Sequence, residues 1–377
     1  MNILLGVTGS VAATLTKKLA VTLRELGNVR VVTTDKGRYF FENDIFHDEN
    51  AQAYIAGHKD IQVFTDFNEW TTPHGTKVWQ KKGDPVVHIG LRKWAGVLVI
   101  APITYNTLGM VSNGLADNIL TSTVAAWDYT RPIIYAPAMN TMMLQNEITQ
   151  KNMRTLFGMG WKRVDPQTKM LACNDEGNGA MANISDIVQK TKDCLQWRFP
   201  LTNCPGIPCG YHPGAFGFAR KHSHHTGVDL YCAQGTFVQA VEDGRVVGKE
   251  MFTGPQDNSP WWNDTDCVLV EGPSGIVCYG EIQVYEKWKP GDIVRAGDFI
   301  GTVTPVVKEG RERPDVPGHS RAMLHVELYE RERTSASHSW KLDAPKWDYL
   351  LDPTSYLLNA KDSPGNILTM QTAYIPG

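Results

Sequence analysis

Ile3-Leu4-Leu5-Gly6-Val7-Thr8-Gly9-Ser10 sets the reading of the first half of this 377-residue chain. Ile3 to Val7 reads as a buried strand, and a tight turn through Gly6, Gly9 and Ser10 follows it. Val11, Leu15, Leu19 and Leu23 then recur at helical spacing, so a helix is expected from about Ser10. A glycine turn between strand and helix leaves backbone N–H groups at a helix start, where a phosphate fits. Such a turn is equally common as a plain connection, and alone it decides nothing about ligands. Outward from it, Val29 to Thr33, Val97 to Ala101 and Pro132 to Ala136 read as further short strands, the last two ending in Ala-Pro. Strands alternating with helices predict an α/β domain with a parallel sheet covered on both faces.

The chain is too long for one ordinary core, so two domains are expected. Hydrophobic residues make up 42% and charged residues 20%, the balance of a globular protein. With 37 Lys and Arg against 40 Asp and Glu, the net charge of −3 gives no pull toward nucleic acid or an anionic membrane. No apolar run approaches the roughly 20 residues needed to span a bilayer. Met1 to Val7 has no basic flank and no cleavage site, so it reads as a strand and not as a secretion signal.

From about Gln196 the texture changes. Pro200, Pro205, Gly206 and Pro208 read as a linker over residues 196–208. Thr236 to Val247 and Asp266 to Val284 then show the alternating, β-branched pattern of an all-β domain over residues 209–358, with 359–377 as a tail. Of seven cysteines only Cys173 and Cys194 precede residue 200, so the second half looks more compatible with an oxidising environment than the first.

Three later segments sharpen the first domain, here assigned to residues 1–195. They are Ala101-Pro102-Ile103-Thr104-Tyr105-Asn106-Thr107 leading into Ser112-Asn113-Gly114-Leu115-Ala116-Asp117-Asn118, then Ala136-Pro137-Ala138-Met139-Asn140-Thr141-Met142-Met143, then Leu171-Ala172-Cys173-Asn174-Asp175-Glu176-Gly177-Asn178-Gly179-Ala180-Met181. In that order they resemble the phosphopantothenoylcysteine decarboxylases, whose fold is flavodoxin-like, a Rossmann-type three-layer parallel sheet. The resemblance implies FMN held by Gly9, Ser10, Thr34, Thr104 and Asn106, with Met139 packing beside it. It implies an active-site His88 for the thiol, Asn140 for the substrate carboxylate and Cys173 as proton donor to the product. Flavin in that family oxidises the thiol and takes its electrons back after CO₂ leaves. Two departures stand out, Asn174 in place of Gly and Leu144 in place of Trp. The resemblance also implies a homotrimer, or a dodecamer built from trimers.

In the second half, His225-Thr226-Gly227-Val228-Asp229 is followed 96 residues later by His325. Two imidazoles and a carboxylate are a normal zinc set with one open position. The order of these segments, with Asp243-Gly244-Arg245-Val246-Val247 and Lys289-Pro290-Gly291-Asp292 between them, resembles the lysostaphin-type zinc peptidases, an all-β fold. The resemblance implies Zn²⁺ on His225, Asp229 and His325. Met323 and Glu281 stand where those peptidases carry their proton-handling histidines, which brings the chain nearer the leukocyte-derived chemotaxin branch and argues against peptidase activity. That branch also suggests a Cys204–Cys209 disulfide.

Two readings follow. One is a cytoplasmic FMN-dependent decarboxylase acting on a phosphopantothenoylcysteine-like small molecule, a lyase of coenzyme A biosynthesis with an accessory zinc module. The other is a binding protein that reuses both folds, for example a bacteriophage virion component, with a peptide, glycan or virion partner for the second domain.

Overall fold

The computed structural model describes residues 1–50, 52–71, 76–170, 176–255, 260–310, 322–336 and 340–365. It divides into two compact units, Met1–Cys194 and Leu195–Gly377.

The first unit is built on an eight-stranded sheet. From one edge its strands are Ile45–His47, Ala53–Ile55, His58–Phe64, Asn28–Thr33, Asn2–Val7, Val97–Ile103, Ile133–Pro137 and Lys162–Arg163. The six from His58–Phe64 onward pair parallel, while the first two form an antiparallel hairpin at the edge, so the sheet is parallel at its heart but not throughout. Val97–Ile103 is buried at every position, as a central strand covered on both faces must be. Helices including Thr16–Leu23, Tyr105–Ser112 and Ile119–Ala125 supply that cover.

The expected first helix is real but begins late. Val11–Leu15 is a 3₁₀ turn and the α-helix runs Thr16–Leu23. The tighter winding takes Val11 and Leu15 off the apolar stripe and leaves them exposed, while Leu19 and Leu23 are buried. From Asn2–Val7 the chain moves to one side through Asn28–Thr33 and His58–Phe64. It then returns to Val97–Ile103 on the other side. This reversal is the topological switch of open α/β sheets, where the carboxyl ends of the strands part to form a crevice.

The second unit is an antiparallel β domain. Its main path runs Val228–Tyr231, Met323–Tyr329, Gly275–Val284, Thr265–Gly272, Gly244–Thr253 and Ile293–Val294, with Phe237–Gln239 and Phe299–Val303 branching from it. Residues 196–208 are not a linker. Trp197, Phe199, Leu201 and Ile207 are buried in the same cluster as Val228, Tyr279 and Leu324. The tail reading fails in part as well, since Ala360 and the Leu357 beside it lie in that cluster and Lys361 N–H donates to Trp197 O at 2.8 Å. Cys204 and Cys209 carry free thiols that donate to the carbonyls of Gly206 and Ile207, so the suggested disulfide is absent. Among the described residues no helix is long and apolar enough to cross a membrane.

Candidate functional sites

The crevice at the switch point is a cleft of about 750 Å³, a volume suited to a nucleotide-sized ligand. Gly9 and Ser10 reach it from the end of Asn2–Val7, Thr34 from the end of Asn28–Thr33, Thr104 and Asn106 from the end of Val97–Ile103, and Met139 from the end of Ile133–Pro137. Six residues named from sequence alone thus meet in one cleft.

Three of them also start helical segments. Ser10 Oγ accepts from Ala12 N–H at 3.3 Å, Thr34 Oγ1 from Gly37 N–H at 3.1 Å, and Thr104 Oγ1 from Thr107 N–H at 3.4 Å. Several helical N-termini aimed at one cleft favour an anionic group there. Gly9 must be glycine for steric reasons, because a Cβ on it would stand 2.5 Å from Lys36 Cβ.

Sequence reading missed Thr8, Asp66 and Trp70. Thr8 Oγ1 donates to Pro102 O at 2.8 Å and accepts from Thr104 N–H at 2.9 Å, tying the first turn to the fourth parallel strand's end. Asp66 lines the cleft, accepts from Ile119 N–H at 2.6 Å, and burial raises its carboxyl above the usual range. Trp70 lines the cleft with its indole 73% exposed, a surface for an aromatic ring to stack on.

His88 is not among the cleft-lining residues. It sits on the helix Val87–Trp94, where Glu69 holds it twice: the carboxylate accepts from His88 N–H at 2.9 Å and pairs with His88 Nδ1 at 2.6 Å. Glu69 is one residue from Trp70, is itself only 7% exposed, and fixes the ring so that Nε2 is the nitrogen turned away from it. Asn140 caps the helix Thr141–Gln145, its Oδ1 accepting from Met142 N–H at 2.8 Å. Cys173 lies outside the described residues.

In the second unit His225, Asp229 and His325 converge, as the sequence implies, and all three are buried. Antiparallel pairing sets Asp229 opposite His325, on Val228–Tyr231 and Met323–Tyr329. His225 Nε2 lies 3.2 Å from His325 Nδ1 and 3.0 Å from Asp229 Oδ1, and His325 Nδ1 lies 2.8 Å from Asp229 Oδ1. Donors of a tetrahedral zinc ion with bonds near 2.0–2.1 Å stand about 3.3 Å apart, so the triangle fits a metal with small adjustment.

Each donor is also oriented from behind. His225 Nδ1 faces Ala215 O at 2.9 Å, His325 Nε2 faces Glu327 Oε1 at 3.2 Å, and Arg220 donates to Asp229 Oδ2 at 2.5 Å. Burial works against the His325 imidazolium, but hydrogen bonds to Asp229 and Glu327 lift it to about 10. Burial alone would raise the Asp229 carboxyl; the His225 and Arg220 charges overrule it and hold Asp229 well below the carboxylate range. Carboxylate and carbonyl partners behind candidate donors are the arrangement that tunes metal-binding histidines.

Comparison with known proteins matches both halves. The family model described as Flavoprotein matches residues 1–196, and that of Peptidase family M23 matches residues 223–336. A phosphopantothenoylcysteine decarboxylase of Glycine max is 43% identical over 186 residues, covering 49% of this chain and 80% of that protein. One of Mus musculus is 35% identical over 196 residues, covering 52% and 87%. Among solved structures, the FMN binding protein AtHal3 matches with a TM-score of 0.43 and 41% identity, over 51% of this chain and 94% of that one.

Proposed function

Since the chain belongs to the flavoprotein family and carries an M23-type domain behind it, we propose that its first unit binds FMN and decarboxylates a cysteine carboxylate of the phosphopantothenoylcysteine type. The observation that carries the proposal is the convergence of Gly9, Ser10, Thr34, Thr104, Asn106 and Met139 on one cleft at the strand ends.

The N–H groups behind Ser10, Thr34 and Thr104 suit the phosphate, and Trp70 offers a face to an aromatic ring. Bound FMN would supply the two-electron oxidation of the substrate thiol and the return of those electrons. The protein's own work is then placement and proton transfer. Glu69 holds His88 in one orientation, so that Nε2 can take the thiol proton. The Asn140 amide donates to the substrate carboxylate, and Cys173 returns a proton to the product.

For the second unit we read a metal-binding module without peptidase turnover. The donors His225, Asp229 and His325 would hold Zn²⁺, which there organises the fold.

Anaerobic incubation of the purified protein with 4′-phosphopantothenoylcysteine tests the first unit, with CO₂ release and flavin absorbance as readouts. Release that disappears in Cys173→Ser and His88→Asn is the expected result. Bound FMN with no CO₂ would overturn the decarboxylase reading and leave a flavin-binding scaffold, as a virion component would be.

A further inference from the structure

A second cavity in the first unit lies against the edge strand Lys162–Arg163 and shares no lining residue with the cleft at the switch point. It holds about 360 Å³, the size of a site for a small organic ligand and not for a bare ion. The helix Glu147–Gly158 forms one wall. Gln150, Met153, Arg154 and Phe157 stand there at i, i+3, i+4 and i+7, a single stripe of that helix. Lys190 comes from the helix Ile184–Leu195, while Trp161, Lys162 and Arg163 come from the edge strand and the residue before it. Tyr135, on the neighbouring strand Ile133–Pro137, is the register partner of Arg163, so both side chains leave the sheet on one face.

Neither the charge nor the hydrogen bonding of this cavity is complete. Arg154, Lys162, Arg163 and Lys190 share the lining with a single acidic side chain, Asp165. Arg163 holds that carboxylate at 2.6 Å. Arg154, Lys162 and Lys190 have no ion-pair partner among the described residues, so the rim carries excess positive charge. Behind the rim the wall is core. Tyr135 is 1% exposed and stands edge-on to Trp161, 2% exposed, with ring centroids 6.0 Å apart. Among the described residues no hydrogen bond engages the Tyr135 hydroxyl, and the Trp161 indole N–H is buried without an acceptor. Burial pushes the Tyr135 phenol above its ordinary value, against the pull of Arg163, so at neutral pH it is a donor. Donors this deep without acceptors are uncommon and costly, and an anion in the cavity is the acceptor that the Tyr135 hydroxyl lacks.

Phosphate suits this setting better than carboxylate. Its oxygens can engage several donors at once, it carries up to two charges, and arginine meets it with two N–H groups. Met153 and Trp161 give the rest of the molecule an apolar wall. We propose that this cavity is a second ligand site of the first unit. It takes the dianion of a small organic phosphate monoester among Arg154, Lys162 and Lys190, with the Tyr135 hydroxyl as a further donor. Because the site stands on its own set of residues, it does not depend on the flavin reading.

Equilibrium dialysis of the full chain, saturated with FMN to fill the other cleft, tests this with phenyl phosphate, inorganic phosphate and phenol. Phenyl phosphate should bind one equivalent, about 10-fold or more tighter than either of the others, because it alone meets both the cations and the apolar wall. The double variant Arg154→Ala/Lys190→Ala breaks no ion pair and should bind at least about 10-fold more weakly. Tyr135→Phe should weaken binding several-fold and leave urea unfolding unchanged, since the hydroxyl it removes holds nothing in the fold. No binding of phenyl phosphate overturns the proposal. So does an affinity unchanged in the double variant, which would put the probe elsewhere on the chain. Inorganic phosphate that binds as tightly as phenyl phosphate overturns the organic ligand. A Tyr135→Phe chain that unfolds at lower urea would give the hydroxyl a structural role and overturn its part in the site.

Discussion

Gly227 shows how narrowly the candidate metal site is specified. A Cβ there would stand 2.4 Å from Val326 O and 2.8 Å from His325 Nε2. Gly227→Ala should therefore destabilise the second unit by about 1–3 kcal/mol, as other forced overpacking does, and weaken metal binding; denaturant melts and Zn²⁺ titration check both. Glu69 makes a parallel case in the first unit, since it bonds both the backbone and the ring of His88. Glu69→Gln should lower decarboxylation by about 10-fold or more, within the range that positioned acid–base groups contribute, while FMN affinity stays as it was. Glu242 gives a pH dependence instead. Burial raises it to about 7 from 4.5, against hydrogen bonds from Ser274 and Trp197. The native state thus holds a proton there that the unfolded chain releases above pH 4.5. Stability of the second unit should be greatest below that pH and fall by about 2–3 kcal/mol as pH rises to 7, then level off. Glu242→Gln should flatten that slope, as measured by urea unfolding at pH 5 and pH 7.

Whole elements are set by contacts the sequence shows unevenly. The central strands were legible because Val97 to Ala101 is an unbroken apolar run and Ile3 to Val7 is broken only by Gly6, the pattern of strands buried on both faces. Gly9, Ser10, Thr34, Thr104, Asn106 and Met139 share one cleft because each closely follows a strand, a placement the strand pattern already carries. Glu69 was not legible, since its partner lies 19 residues away and nothing local marks the pair. Neither was Thr8, which acts across 94 residues on Pro102. Residues 196–208 misled for a different reason: Pro200, Pro205 and Pro208 signal a linker by composition, yet Trp197, Phe199 and Ile207 between them are core. A fragment of residues 209–358 should consequently be unfolded or insoluble, whereas residues 195–365 should fold. Trp197→Ala in the longer fragment should cost about 3–5 kcal/mol, the usual loss for a buried tryptophan, and circular dichroism melts would register it.

On the scale of the whole molecule, two units with separate cores predict separate responses to ligand removal. Chelation of the metal should lower the melting transition of the second unit by several degrees by mass action, while flavin fluorescence shows FMN still bound to the first. Exposed Tyr39, Met142 and Phe157 on the first unit suit contacts between copies. Sedimentation should give three times the 42.0 kDa chain mass or a multiple of it. How copies could meet is constrained by the rims of the eight-stranded sheet. One rim is the three-residue strand Ile45–His47, and the other is the two-residue strand Lys162–Arg163, charged at both positions. An incoming chain finds too short a row of backbone donors and acceptors at either rim to zip onto. Contacts between copies that add a strand to this sheet are disfavoured at both rims, which leaves side-chain shape as the means by which one copy would recognise another.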